Sequence, residues 1–291
     1  VSQMRMRDAI KRGLEEALEQ NPDVIIMGED IGEYGGAYSI TDGFLAKYGP
    51  ERIKDTPISE AAFVGCGIGA AAAGLRPVVE LMSISFALVA FDQIINMAAN
   101  IRYMSGGQVK VPLLLRAPTG AGSQLAATHS QSFETWIAET PGLRCVCPSM
   151  PRDALGLLRT ALKHDNPVMF AEPAALYFVK GDVPDDYYEI PFGEADIKRE
   201  GADATLVSYG AGVPILLQAA DILQARGVSA EVVDLRTLNP MDVDAVVGSV
   251  IKTNRLVALD MSRKLGGLMA ELVSEVQERA SDSLDGPAMR V

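Results

Sequence analysis

Apolar residues at Met6, Ala9, Ile10, Gly13, Leu14, Ala17 and Leu18 recur at spacings of three and four, which predicts an amphipathic helix over 4–20. Asn21-Pro22-Asp23 ends it, and the short apolar run 24–27 reads as a buried strand leading into Gly28-Glu29-Asp30. A glycine-rich loop over 32–43 and a short helix over 42–48 follow. The pattern then predicts a helix of small residues within 55–74, a strand at 76–80 and a long, weakly charged helix over 83–104. Strands at 110–115, 143–147 and 167–170 enclose a polar loop at 117–124 and a helix at 152–163. Residues 177–194 lose periodicity and carry Gly181, Pro184 and four aspartate or tyrosine side chains at 185–188, so they read as a crossing between domains. Beyond it, strands at 204–209, 229–234 and 255–259 alternate with helices at 213–225, 242–249 and 268–280. Such alternation requires parallel sheets covered by helices, with ligands at the carboxyl ends of the strands. The fold class is therefore α/β, in two domains: 1–180 and a smaller 195–291, joined by 181–194.

The stretch DTPISEAAFVGCGIGAAAAG, 55–74, organises the rest. Thr56, Pro57 and Ser59 supply helix-start chemistry, and Glu60 falls in the first turn. Taken alone, Glu60 is an acid complementing the helix dipole. Each interior glycine costs about 1 kcal/mol relative to alanine. Gly65, Gly67 and Gly69 therefore imply close backbone approach, inside the subunit or at an interface between subunits.

Composition narrows the function. The chain has 291 residues, 48% hydrophobic and 22% charged, enough for two packed domains. A net charge of −12 disfavours a nucleic-acid partner, which needs surplus Lys and Arg. Cys66, Cys145 and Cys147 make no disulfide framework or zinc pattern. Arg76, Pro77 and Glu80 interrupt the apolar stretch 61–91, so no membrane span is expected, and no signal peptide is visible.

Two histidines, His129 and His164, are present. His129 follows a Gly-rich loop and is flanked by Thr128, Ser130 and Gln131, which can orient an imidazole for acid–base work. There is no GxSxG elbow and no Walker loop, and Gly65-Cys66-Gly67-Ile68-Gly69 lies inside a helix pattern, where packing explains it. Met82 and Phe86 sit four apart, on one helix face if the helix is regular.

Together DTPISEAAFVGCGIGAAAAGLRPVVELM, FDQIINMAANIRYMSGG, ATHSQSFETWIAETPGLRCVCPS and LLRTALKHDNPVMFAEP resemble the beta subunit of the thiamin-diphosphate-dependent 2-oxoacid dehydrogenases, from the first helix to Val291. The resemblance implies a pyrimidine-binding domain followed by a transketolase C-terminal-like domain. It assigns Glu60 to N1′ of the aminopyrimidine, Phe86 to the stacking aromatic, and Ile58 and Met82 to further ring contacts. It gives His129 a part in passing the acyl group to lipoamide. It also maps a potassium site of some members onto Leu113, Ala161, Leu162, His164 and Asn166. His164 stands where some members have an acid, and Val89 replaces a glutamine found near the cofactor in some pyruvate enzymes.

The family holds the diphosphate through Mg²⁺ with a GDG motif, which this chain lacks; Asp42-Gly43 has no glycine before it. The resemblance therefore implies an alpha subunit carrying the Mg²⁺ ligands in an α₂β₂ heterotetramer, working with a lipoyl-bearing acyltransferase. Pyruvate is the expected substrate. Branched-chain oxoacid and acetoin members are the alternatives, followed by a transketolase-type enzyme and a non-catalytic scaffold subunit. The location implied is cytoplasmic in a bacterium and the mitochondrial matrix or plastid in a eukaryote.

Overall fold

The computed structural model describes residues 1–120 and 125–291. The chain opens with β1 (Ser2–Arg5), α1 (Met6–Gln20), β2 (Val24–Gly28), α2 (Phe44–Tyr48), β3 (Ile53–Asp55), α3 (Glu60–Ala72) and β4 (Arg76–Glu80). It continues through α4 (Ile101–Met104), β5 (Leu114–Thr119), α5 (Glu134–Ala138), β6 (Arg144–Val146), α6 (Pro151–Lys163), β7 (Val168–Pro173) and β8 (Lys180–Val183). The remainder is β9 (Asp196–Arg199), β10 (Ala204–Ser208), α7 (Gly212–Gln224), β11 (Ala230–Asp234), β12 (Thr237–Asn239), α8 (Val243–Thr253), β13 (Leu256–Ala258), α9 (Leu268–Ala280) and β14 (Met289–Arg290). These form a seven-stranded sheet in the order β12-β6-β7-β5-β4-β2-β3 and a five-stranded sheet in the order β14-β13-β10-β11-β9. In the first, only β12 is antiparallel; in the second, only β9. The α/β expectation thus holds in both sheets.

Small residues set the layer spacing. Helix α1 lies on α6, and a Cβ at Gly13 would meet Leu158 Cδ2 at 2.7 Å. On the opposite face α3 buries Phe63, Val64, Gly67, Ile68 and Ala71, and a Cβ at Gly67 would meet Val79 Cγ2 at 2.6 Å. Gly67 therefore serves internal packing. Ala62, Cys66 and Gly69 on the same helix stay exposed.

Several elements depart from the hydrophobic pattern. The long helix over 83–104 is broken into a 3₁₀ turn at Ile84–Leu88, a π-helical turn at Gln93–Ala98 and α4. Asn100 Nδ2 donates to Ile95 O at 2.9 Å and to Asn96 O at 3.4 Å, a side-chain competitor that disturbs the regular ladder. The strand expected at 110–115 lies at 114–119, because Pro112 has no N–H to give a ladder and Val111 and Leu113 bond each other locally. Of the loop expected at 117–124, residues 117–119 are strand, and 121–124 lie outside the described residues. Ser2–Arg5 is strand rather than the start of the first helix, and its partner β8 lies inside the supposedly structureless crossing. That pair is polar and half-exposed, so it leaves no apolar alternation to read.

We retain 1–180, 181–194 and 195–291 as proposed folding units, with the reservation that β12 crosses back to pair with β6. Leu235 and Leu238 share one apolar core with Cys145, Cys147 and Met169 of the first sheet. Between the units, Lys198 is paired with Asp153 and sits 3.6 Å from Asp234, while Arg236 Nη1 reaches Asp153 Oδ1 at 3.2 Å.

Two alanine substitutions on α3 should have opposite signs. Gly67→Ala meets the sheet and should destabilise by about 1–2 kcal/mol, overpacking outweighing propensity. Gly69→Ala meets nothing within 4 Å and should stabilise by about 0.5–1 kcal/mol. Denaturant midpoints of the isolated chain check both, and equal shifts would refute the packing account.

Candidate active site

The parallel strands of the first sheet all end on one edge, which brings Gly28-Glu29, Asp55, Glu80 through Met82 and Thr119-Gly120 together. Glu60 opens α3 at this edge and is only 5% exposed. Ser59 occupies the N-cap, yet its hydroxyl makes no capping bond. The nearest ionisable neighbour of Glu60 is Glu29, buried just beyond β2. Burial raises the Glu29 carboxyl above its ordinary range, and the charge of Glu60 and a hydrogen bond with it add to the rise. Glu29 Oε1 has no hydrogen-bond partner, and neither has the buried Oγ1 of Thr56, whose N–H donates to Gly28 O at 3.0 Å. Unsatisfied buried polar atoms at the ends of adjacent strands fit a polar group supplied from outside the chain.

Beside them lies a cavity of about 140 Å³ whose walls include Met82, Ser83, Thr119, Gly120, Leu125 and His129. Phe86 meets the His129 ring edge-on, with centroids 5.0 Å apart and planes at 89°. Thr128 Oγ1 lies 2.8 Å from His129 Nδ1. The structure thus brings Met82, Phe86 and His129 together, although Met82 precedes the 3₁₀ turn and the two apolar residues do not share a regular helix face. Glu60 stands apart from that cavity's walls, with Glu29. Ile58, one residue before Ser59, is 83% exposed, and Val89 is exposed as well.

Beneath the edge, Arg116 on β5 is 2% exposed and forks onto Glu172 of β7, with Nε–Oε1 and Nη2–Oε2 both at 2.7 Å. Its Nη1 bonds Glu80 at the end of β4, and Tyr177 donates to Glu172 Oε2 at 2.7 Å. Burial raises the Glu80 carboxyl, with Arg116 acting against the rise. Sequence reasoning singled out none of Glu29, Arg116, Glu134 and Glu172. For Glu29, Arg116 and Glu172 the available signal was position, a charged residue inside or directly after an apolar run; Glu134, in Ser132-Phe133-Glu134-Thr135, has no such signal.

Comparison with known proteins fits this arrangement. The family described as transketolase, pyrimidine binding domain matches residues 2–179, and transketolase, C-terminal domain matches 193–291. The pyruvate dehydrogenase E1 component subunit beta of Rickettsia felis is 45% identical over 285 residues, covering 98% of this chain and 87% of the relative. The chain belongs to the pyruvate dehydrogenase E1 beta-subunit family. The mitochondrial beta-2 subunit of Oryza sativa subsp. japonica is 45% identical over 99% of this chain and 78% of its own length, and the Caenorhabditis elegans mitochondrial subunit is 45% identical over 100% and 84%. A solved structure titled split gene transketolase, inactive beta4 tetramer, superposes with a TM-score of 0.79, covering 99% of this chain and 88% of that one; at 24% identity it speaks to the fold alone.

Two ions suggested by the resemblance to E1 beta subunits were tested against the residues present. Among the described residues no group of three or more His, Cys, Asp or Glu could hold a metal ion. The potassium positions are occupied by protein donors. Arg76 Nη1 donates to Leu162 O at 3.2 Å and His164 O at 3.3 Å, and Arg102 Nη1 to Asn166 Oδ1 at 2.6 Å. Leu113 O accepts from Val168 N at 2.9 Å, and Ala161 O from His164 N at 3.2 Å. Two guanidinium groups thus bring the positive charge a cation would supply, and we assign potassium no role in this chain. Replacing potassium by sodium at constant ionic strength should leave the melting temperature unchanged; a potassium-specific increase in thermal scans would refute this reading.

Proposed function

We propose that this chain is the beta subunit of a pyruvate dehydrogenase first component, forming a thiamin diphosphate site together with an alpha subunit in an α₂β₂ heterotetramer. The observation that carries the reading is one sheet edge that holds a buried carboxylate pair and an aromatic–imidazole wall, in a chain matching E1 beta subunits end to end. The orphaned Glu29 Oε1 and Thr56 Oγ1 support a heterocycle docking there rather than a sealed core.

In this reading Glu60 hydrogen-bonds N1′ of the aminopyrimidine and holds the proton exchanged at that atom. When bound, thiamin diphosphate would supply the chemistry of a carbon nucleophile, the conjugate base of its thiazolium C–H, and of an electron sink for decarboxylation. Ile58, Met82 and Phe86 provide apolar surface for the pyrimidine, and the small side chains of α3 let its backbone stay close to the sheet beneath. His129 presents its imidazole at the cavity, oriented by Thr128 and the edge of Phe86, as the group that positions the lipoyl dithiolane and protonates its departing sulfur as the S–S bond breaks and the other sulfur takes the acyl group. In this reading Mg²⁺ and the diphosphate are held by the alpha subunit, a division supported by the lack of a GDG motif in this sequence. The lipoyl acceptor belongs to an acyltransferase core. Among the described residues no helix is long and apolar enough to cross a membrane.

Co-expression with the alpha subunit tests the reading. Pyruvate-dependent reduction of an artificial electron acceptor should require both chains, thiamin diphosphate and Mg²⁺, with pyruvate preferred over branched-chain oxoacids and acetoin. Glu60→Gln should lower that rate by about 10²-fold or more, the scale of acid–base assistance. His129→Ala should spare the artificial-acceptor reaction and lower lipoamide acylation by a similar factor. Full turnover of Glu60→Gln would overturn the catalytic assignment, and activity of this chain alone would overturn the divided site.

A further inference from the structure

Behind the His129 cavity lies a second, enclosed space of about 40 Å³, bounded by Thr119, Gly120, Ser132, Glu134, Cys147 and Tyr209. Thr119 and Gly120 form part of the wall of both cavities. The segment carrying His129 is pinned to this wall at two points: Gly120 N donates to Gln131 O at 3.3 Å, and Thr119 Oγ1 donates to Glu134 Oε2 at 2.8 Å. The same segment is gripped from the C-terminal unit. Ser132 Oγ donates to Met261 O at 3.4 Å, and Arg263 Nη2 donates to Gln131 Oε1 at 2.5 Å. Arg263 also lies 5.8 Å from the centre of the Phe133 ring.

Glu134 is 1% exposed and sits where the two units meet. Its neighbours can be counted element by element. From β5 comes Thr119; from the end of β10, the phenol of Tyr209; from beyond β13, Asp260; from β6 and just after it, the thiols of Cys145 and Cys147, both kept protonated by burial. Arg263, the cation that grips this segment, is spent on Gln131. The Tyr209 hydroxyl donates to Asp260 Oδ1 at 2.8 Å, and Asp260 also accepts from Ser262 N at 2.9 Å and Met269 N at 3.1 Å. One phenolic hydrogen therefore lies between two carboxyl groups. It is committed to Asp260, so across the small cavity that Tyr209 and Glu134 both line, a bond between them has to take its proton from Glu134.

We propose that Glu134 is a neutral carboxylic acid that clasps the C-terminal unit to the His129 segment and thereby positions His129 for acyl transfer. The chain of donors runs in one direction: Thr119 to Glu134, Glu134 to Tyr209, Tyr209 to Asp260. Ionising Glu134 removes the donor to Tyr209 and sets two like charges on either side of one phenol in a buried space. The clasp then opens at the point where residues 130–133 touch residues 261–263. Burial pushes the Glu134 carboxyl up to about 7, with Asp260 adding to the rise and the hydrogen bond from Thr119 opposing it. The folded-state value lies above the unfolded one, so this stabilisation is fully present below the ordinary carboxylate range and is lost as pH rises through about 7.

The proposal rests on the role given above to His129, and its test separates the two. In the assembled tetramer, the ratio of lipoamide acylation to artificial-acceptor reduction should fall by up to tenfold per pH unit above about 7, and Glu134→Gln, which keeps an acceptor for Thr119 and a donor for Tyr209, should hold that ratio level. Tyr209→Phe should lower the ratio several-fold at every pH. An unaltered pH profile in Glu134→Gln overturns the clasp. A readout free of turnover uses the chain without cofactor: its melting temperature should drop between about pH 5 and pH 7, and the drop should shrink in Glu134→Gln. Equal drops in both proteins overturn the proposal even if the tetramer shows no pyruvate-dependent activity, an outcome that would sink the functional reading instead.

Discussion

Arg116 fixes the floor on which the site stands. Its guanidinium joins three adjacent strands, β4 through Glu80, its own β5, and β7 through Glu172, just before each gives way to the loops that carry Met82, His129 and the Ala174–Leu176 turn. A bidentate Arg–carboxylate pair restricts rotation as well as distance, so the strand ends are held in register and not merely close. Such a buried group adds little net stability compared with apolar packing, but removing one partner strands a charge at a cost of about 3–5 kcal/mol. That asymmetry explains why two acids surround one cation here: Tyr177 gives Glu172 a further donor, and Glu80 takes the remaining guanidinium N–H.

Above that floor the site is half-built in a physically legible way. The apolar half is in place: α3 rests on the sheet through Gly67, Met82 and His129 line a common space, and Phe86 packs edge-on against His129. The polar half is open. Glu29 Oε1 and Thr56 Oγ1 have lost water without gaining a partner, a penalty of about 1–3 kcal/mol for each such atom. Ile58 meanwhile stands exposed one turn from the buried Glu60. A chain that leaves polar atoms unsatisfied inside and an isoleucine uncovered outside is consistent with a pocket completed by a ligand and a second subunit, as the reading as an E1 beta subunit requires.

The parallel strands and the helices covering them were readable from the hydrophobic pattern because burial on both sides gives continuous apolar runs such as 24–27 and 168–171. Edge pairs such as β1 with β8 were not, since their side chains alternate against solvent and carry no apolar stripe. The 83–104 segment misled for a different reason. Its composition is helical, and one amide side chain, Asn100, redirects the backbone bonds. Among the proposed site residues, Glu60 was singled out through the family resemblance, since taken alone it reads as a first-turn acid complementing the helix dipole. Arg116, Glu172 and Glu134 were not legible, because their meaning lies in partners 56, 36 and 15 residues away.

The same fold therefore buries carboxyl groups in two electrostatic regimes. Glu80 and Glu172 are balanced by a guanidinium, which stays charged throughout the accessible pH range. Among the described residues no cation pairs with Glu134, which meets Asp260 across a single phenol, so in the proposed clasp it is satisfied by a proton. The first regime suits a floor that must not move. The second places an element sensitive to protonation where the His129 segment is held by the C-terminal unit, which is the contact that has to be accurate only when an acceptor arrives. Asp234, pushed up to about 7 by burial, faces Lys198 and Ser149 across the same junction between the units and belongs between these extremes, with both a cation and a hydroxyl to share its charge. Charge compensation is thus graded from the centre of the first sheet, where it is permanent, to the boundary between the units, where it depends on solvent protons.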